Sequence, residues 1–208
     1  MIASPMIKLV LAEAELEPVP RQLRRHPSMK RSSKGKDTVL LDSNYHHRAM
    51  RGLDDAYRRG RPDITHICLL NAMESPLNKR GELEFYVHTR NDEVIFIDPS
   101  WKVPKSYNRF VGLMESLFEK RVISADGTDL LRLEHMGLVD LVESIRGDMD
   151  VKVMHYEGSK YAHEQDCVII VGGFPHGDFV SDLPYDKYTI YEEELVAWAV
   201  INTVIYHP

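Results

Sequence analysis

An α/β fold with a mainly parallel sheet is predicted by three features of this 208-residue chain. Short apolar runs rich in Val and Ile recur along it, apolar stripes at helical spacing fall between them, and Gly, Pro and Asn clusters punctuate both. With 43% hydrophobic residues, a chain of this length can bury one sizeable core or two small ones, which sets aside disordered and collagen-like architectures.

The elements follow in order. Ile7–Ala12 (IKLVLA) reads as a buried strand, followed by a Glu-rich stretch that Pro18 and Pro20 break. Arg21–Lys36 is polar, Ser/Lys-rich and reads as a loop. Asp42–Ser43–Asn44 is an N-cap cluster, so a helix is expected from there through Tyr57, ending near Gly60. Asp63–Ala72 (DITHICLLNA) reads as a central strand, and Glu74–Asn78 as the loop after it. Glu82–Thr89 and Glu93–Asp98 flank Arg90–Asn91–Asp92 as a β-hairpin.

Phe110, Leu113, Met114, Leu117 and Phe118 form the apolar stripe of one helix, and Leu138, Leu141, Val142 and Ile145 that of another. Val151–Tyr156 and Cys167–Val171 are strands, the second running into Gly172–Gly173–Phe174–Pro175–His176–Gly177. Tyr188–Tyr191 is a further short strand. Glu192–Glu193–Glu194 is expected to open a helix through Tyr206, its first-turn acids suited to the helix dipole. That helix is apolar on nearly every face, which asks for covering on both sides, the second from another copy of the chain.

Several classes are excluded at this level. The longest apolar stretches, Cys167–Phe174 and Leu195–Tyr206, fall short of the ~18 residues a membrane helix needs. Met1–Leu11 carries one Lys and runs into Glu13, Glu15 and Glu17, unlike a secretory signal. Cys68 and Cys167 both lie in apolar runs and read as buried thiols, not a disulfide framework or a zinc site. A cytoplasmic protein with no membrane partner is expected.

The charge is uneven. Residues 1–110 hold 19 Lys/Arg against 14 Asp/Glu, and residues 111–208 hold 7 against 18, giving +5 and −11 within the total of −6. Arg21–Lys36 has seven basic residues and no acidic one; a second group is Arg48, Arg51, Arg58, Arg59 and Arg61, and a third Lys102, Lys105 and Arg109. Such clusters suit either a polyanion-binding face or a solvated surface with a polar loop, and three in one half favour nucleic acid.

Four candidates carry chemistry. The glycine loop after Val171 permits close backbone approach, as a ligand site or as a turn, but it is not G-x-G-x-x-G and no helix starts directly after it. The histidines between His46 and His176 show neither H-E-x-x-H nor Cys/His ligand spacing, so no metal is expected. Glu74 is a carboxylate at the carboxyl end of the expected strand, where α/β active sites collect, or a plain loop carboxylate. In Arg61–Pro62–Asp63, Asp63 can hold the guanidinium in one orientation for a phosphate or base edge; the alternative is a loop ion pair.

Several stretches resemble one family, the ribosomal small-subunit pseudouridine N1-methyltransferases of the SPOUT (α/β-knot) class, in its archaeal branch. They are Asp42–Ser43–Asn44–Tyr45–His46, Arg61–Pro62–Asp63–Ile64–Thr65–His66, Ser75–Pro76–Leu77–Asn78–Lys79, His88–Thr89, Pro104 with Arg109–Phe110, Gly112–Leu113–Met114, and Val171–Gly172 with Gly177. The resemblance implies a single domain over residues 1–208: a SPOUT-type sheet with a C-terminal trefoil knot, plus a family-specific β-hairpin extension at about 79–100 and a basic loop at about 21–36. It implies S-adenosyl-methionine as cofactor, small-subunit rRNA as partner and a homodimer.

Carried across by position, the cofactor site is Met154, Gly172, Gly177 and the segment Ile190, Tyr191, Glu192, Glu193, Glu194 and Leu195. The RNA-binding residues are Arg61, Lys102, Lys105 and Arg109, with Asp63 orienting Arg61. Glu74 stands where the family commonly has Asp and is the candidate base. Pseudouridine, unlike uridine, carries a proton on N1 and offers a nucleophilic nitrogen there, so the expected activity is N1-methylation in ribosome biogenesis. The rivals are a non-catalytic pre-rRNA-binding assembly factor and a methyltransferase of the same fold acting on another RNA atom.

Overall fold

The computed structural model describes residues 6–29, 37–162 and 166–206. The expected first strand is β1 (Ile7–Ala14), buried on both faces. Ile7, Leu9 and Leu11 point to one side of the sheet and Val10 and Ala12 to the other, as strand periodicity requires. Of the loop expected over Arg21–Lys36, residues 21–29 form two 3₁₀ turns, Arg21–Leu23 and Pro27–Met29, and residues 30–36 lie outside the described residues.

Helix α1 (Ser43–Met50) starts at the expected cap, with Asp42 accepting from the Asn44 amide at 2.9 Å. It stops seven residues short of Tyr57, and Asp55 (φ 55°) turns the chain instead.

Asp63–Ala72 is not a strand. It forms α2 (Pro62–Met73), a helix with Pro at its first position and Asp63 in its first turn, both favourable there. Burial on almost every side leaves it no amphipathic stripe, and its β-branched content then imitates a strand. A short α3 (Pro76–Arg80) follows, capped by Ser75.

The hairpin is present as β2 (Leu83–Thr89) and β3 (Glu93–Ile97), antiparallel around Asp92 at φ 53°. Helix α4 (Tyr107–Lys120) buries Phe110, Met114 and Leu117, and Phe110 alone contributes roughly 1.5–3 kcal/mol by its burial. The sequence reading passed over β4 (Val122–Ala125) and β5 (Thr128–His135), which pair around Asp126–Gly127 with both residues at positive φ.

Next come α5 (Leu138–Arg146), β6 (Asp150–Lys160), β7 (Cys167–Gly172), β8 (Asp186–Thr189) and α6 (Ala197–Tyr206). The last helix starts five residues later than Glu192. The Thr189 hydroxyl accepts the Tyr191 amide at 3.2 Å, and the chain bends through Glu193 before the helix begins.

The eight strands form one sheet in the order β4-β5-β3-β2-β1-β7-β6-β8. It is mixed, not mainly parallel: four pairings around β1, β7 and β6 are parallel, and the three involving β3 and β5 are antiparallel. Helices α2, α4 and α6 cover one face and α5 the other. Among the described residues no helix is long and apolar enough to cross a membrane.

The pairing of β6 with β8 slips register between Met154 and Ser159. At Gly158 a Cβ would lie 2.4 Å from the Tyr188 amide nitrogen and 2.5 Å from the Lys187 carbonyl carbon, so only glycine fits against β8. Gly158→Ala is expected to cost about 1–3 kcal/mol by forcing the two strands apart. Urea denaturation checks this, and an unchanged midpoint would mean that β8 does not rest on Gly158.

Candidate functional site

A cavity of about 640 Å³ opens where β6, β7 and β8 end, within the range of small-molecule sites. Its walls come from three chain segments. Met154, His155 and Tyr156 of β6 form one side, Val171 and Gly172 of β7 with residues 174–179 a second, and residues 188–191 and 193–198 a third. Arg61 and Ile64, at the start of α2, close the remaining edge.

The sequence-assigned cofactor residues meet here. Met154, Gly172, Gly177, Ile190, Tyr191, Glu193, Glu194 and Leu195 all line the cavity; Glu192 is exposed and does not. Gly177 holds a left-handed backbone (φ 85°), which a side chain would strain. Sequence reasoning missed the aromatic walls Phe174, Phe179 and Trp198. A periodic helical stripe would have hidden Trp198, while Phe174 stood inside the glycine loop already singled out.

Arg61 joins this cavity to a basic surface. Its Nε and Nη2 donate to Asp63 at 2.9 and 2.8 Å, the two-point pair expected from their spacing. Those hydrogen bonds hold the guanidinium above its already high pKa. Nearby, Tyr107 donates to the Asp42 carboxylate at 2.5 Å, and the Ser43 amide donates to the Gly60 carbonyl at 2.8 Å. The starts of α1, α2 and α4 therefore converge, adding helix-dipole attraction for anions to the side-chain charge.

Residues 101–110 present the other bases. Trp101, Val103 and Phe110 are buried, and the Pro104 carbonyl lies 2.7 Å from His66 Nε2, which also stacks on Phe110. Between these anchors Lys102, Lys105 and Arg109 are exposed, and their charged ends make no ion pair within the described residues. They do not line the cavity; Tyr107, in the same stretch, bonds Asp42, whose charge acts on Arg61.

Two sequence assignments change. Glu74 is not at a strand end: it caps the C-terminus of α2, exposed and 3.3 Å from Lys79. At about 1.5 Å rise per residue it stands roughly 19 Å along the helix from Arg61, outside the cavity. Arg58 and Arg59, counted in the second basic group, turn inward onto Glu13, Glu15 and Glu17 and add nothing to the surface. No group of three or more potential metal ligands occurs among the described residues.

Comparison with known proteins agrees with this geometry. A family model described as EMG1/NEP1 methyltransferase matches residues 9–207. The chain is 50% identical over 212 residues to the ribosomal RNA small subunit methyltransferase Nep1 of Pyrococcus furiosus, spanning 96% of this chain and 94% of that protein. It is 48% identical over 213 residues to the protein of the same name from Thermococcus onnurineus, spanning 96% of each. Its fold matches the crystal structure of Archaeoglobus fulgidus Nep1 bound to S-adenosylhomocysteine, with a TM-score of 0.87 and 35% identity over 98% of this chain and 96% of that one.

Two buried histidines set an acid limit. His46 Nδ1 accepts the Asp42 amide at 3.0 Å, and His88 Nδ1 accepts the Glu13 amide at 3.3 Å. Burial lowers both pKa values below the ordinary 6.5, against the pull of nearby carboxylates. The unfolded chain therefore binds these protons first, and stability is complete above pH 6.5 and lost as pH falls below it towards the lowered values. Each histidine is expected to contribute at most about 1.4 kcal/mol per pH unit in that window. Urea denaturation at pH 7.5, 6 and 5 reads this slope, with His88→Asn flattening part of it; no slope in the wild type would reject the account.

Proposed function

The chain belongs to the EMG1/NEP1 methyltransferase family, and from that premise we propose that it methylates N1 of a pseudouridine in small-subunit ribosomal RNA, using S-adenosyl-methionine. The observation that carries this reading is Arg61, which stands on the cavity wall and feels the charge of Asp42, the carboxylate bonded by Tyr107 from the stretch that carries Lys102, Lys105 and Arg109. A nucleotide held by its phosphates on those bases has its target base within reach of the cavity.

The cavity suits the cofactor. Apolar and aromatic walls at Met154, Phe174 and Leu195 accept a nucleobase, while Glu193 and Glu194 supply acceptors and favour a cation. When bound, S-adenosyl-methionine supplies a methyl group already activated on a sulfonium. The protein then has to align that methyl with N1, keep water from the cavity and let the N1 proton leave. Alignment alone reaches ~7–11 kcal/mol in favourable intramolecular systems. In this reading Arg61, fixed by Asp63, sets the approach of the RNA, and Glu74, at the far end of α2, takes no part in proton removal.

The architecture we propose is one SPOUT domain whose C-terminal chain is threaded as a trefoil knot, with the β2–β3 pair as a family-specific extension. The order β1-β7-β6-β8, all parallel, supports it. We also propose a homodimer. One face of α6 is buried on the core, while Leu195, Val196 and Tyr206 at its ends are 40%, 50% and 50% exposed, leaving apolar surface for a second copy.

Two RNA hairpins with uridine or pseudouridine in the loop, offered with labelled S-adenosyl-methionine, test the chemistry. Label on the pseudouridine hairpin alone is expected. Equal label on both would point to a ribose or another base atom, and binding without label would favour an assembly factor. Arg61→Ala is expected to abolish binding and Glu74→Gln to leave turnover within about twofold, far from the ~10²–10⁴-fold that a catalytic base supplies. Affinity should fall steeply between ~50 and 200 mM salt if three or four phosphates are contacted.

A further inference from the structure

Three carboxylates at the end of β1 have no part in the reading above. Glu13, Glu15 and Glu17 are 4%, 0% and 2% exposed, a costly place for charge unless each is paired. Arg59 holds Glu17 with two hydrogen bonds of 2.8 and 2.7 Å, and Arg90 reaches Glu15 at 2.7 Å. Arg58 lies between Glu13 and Glu15, at 2.8 and 2.9 Å.

Arg58 alone among these arginines also grips the loop after β7. Its Nη1 donates to the Asp178 carbonyl at 2.6 Å, and its guanidinium carbon sits 4.0 Å from the centroid of the Phe174 ring. Glu13, held by Arg58, accepts the amides of Val180 and Ser181 at 2.9 and 2.7 Å. The loop held in this way supplies Phe174, His176, Gly177, Asp178 and Phe179 to the cavity wall. The Asp178 carboxylate meets His155 Nε2 at 3.2 Å, which passes the loop's position on to β6.

We propose that Arg58 is a positioning residue for the cofactor cavity: with Glu13 as its partner, it fixes the loop 174–181 that forms one wall. This rests on that cavity being the S-adenosyl-methionine site. Four contacts from one planar group explain why the residue is arginine. Nε serves Glu15, Nη2 Glu13, Nη1 the Asp178 carbonyl, and the face the Phe174 ring; a lysine offers one point charge and cannot reach all four.

The control lies next door. Arg59 is of comparable depth and has the same kind of partner, but no bond of its side chain reaches residues 174–181. A purely structural ion pair predicts that Arg58→Lys and Arg59→Lys act alike. A positioning role predicts that they part.

The experiment is calorimetric titration of S-adenosyl-homocysteine into the full chain and both variants, with hairpin RNA affinity measured beside it. Arg58→Lys is expected to weaken cofactor binding by about tenfold or more, equivalent to 1.4 kcal/mol. Arg59→Lys should stay within about twofold, and RNA affinity should change little in either. Glu13→Gln, which leaves Arg58 paired with Glu15, gives a second reading independent of cofactor. Hydrogen exchange of the Val180 and Ser181 amides should accelerate while β1 and β7 stay protected. Equal weakening by the two lysine variants, or unchanged exchange in Glu13→Gln, would overturn the inference. A wild-type chain that binds no S-adenosyl-homocysteine would overturn the cofactor reading and this one with it; wild-type binding with an unaffected Arg58→Lys would overturn this one alone.

Discussion

The backbone of four residues, Ala12 to Glu15, fixes where the glycine loop, the hairpin turn and Arg61 stand. The strand ends there in an irregularity, with Glu13 at φ 50°, a conformation uncommon outside glycine, Asn and Asp. The Ala12 carbonyl accepts the Gly173 amide at 2.7 Å, the Ala14 carbonyl the Arg90 amide at 3.1 Å, and the Glu15 carbonyl the Arg61 amide at 3.0 Å. The start of the glycine loop, the hairpin turn and the arginine on the cavity wall are thus bonded to one short piece of the central strand. A buried backbone with its donors and acceptors fully used has little freedom to shift, so the distances between these three features are set by the sheet.

Charge divides along the same line. The sequence shows a basic first half, but proximity in the chain does not say which way a side chain points. Arg58, Arg59 and Arg90 neutralise buried carboxylates, Arg61 is committed to Asp63, and Lys102, Lys105 and Arg109 keep their charge for a partner. Anchoring decides the outcome for the last group: Trp101, Val103 and Phe110 are buried, and Lys102, Lys105 and Arg109 stand exposed between them. The unpaired charge is thus less than the composition of the basic half suggests.

Much of the fold was legible because periodicity reports it directly. The runs IKLVLA and CVIIV became β1 and β7, the hairpin around Asp92 formed as its turn residues required, and the stripes at Phe110 and Leu138 became α4 and α5. The misreadings share a cause. Helix α2 is buried on both sides, so its pattern carries no 3.6 period, and Pro62 ahead of Asp63 was the signal that outweighed its β-branched residues. The error placed Glu74 at a strand end, where the structure has an exposed helix C-cap beside Lys79. Strands β4 and β5 announced themselves only by Asp126–Gly127, a strong hairpin turn between weakly patterned strands. Among the assigned cofactor positions, the glycine loop stood out by its own composition, whereas Ile190–Leu195 came from family resemblance alone. The roles of Arg58 and Glu13 were legible through neither, because 120 residues separate Arg58 from Asp178.

The segment from Arg58 to Arg61 then takes on a meaning that neither surface has alone. Arg58 holds the loop that walls the cavity, and Arg61, three residues later, closes its edge. Arg59 between them is tied to Glu17, and the carbonyl of Gly60 is tied to the start of α1. Transfer between two bound molecules depends on their mutual placement to a fraction of an ångström, and placement errors add along every flexible link. Here the link is four residues with both ends and the middle bonded to the sheet or to a helix. Separate domains for the two ligands would have needed a closing motion to bring the reacting atoms together. A short segment bonded at both ends keeps the loop wall and the cavity edge at one spacing, provided that the carboxylates beneath it stay paired.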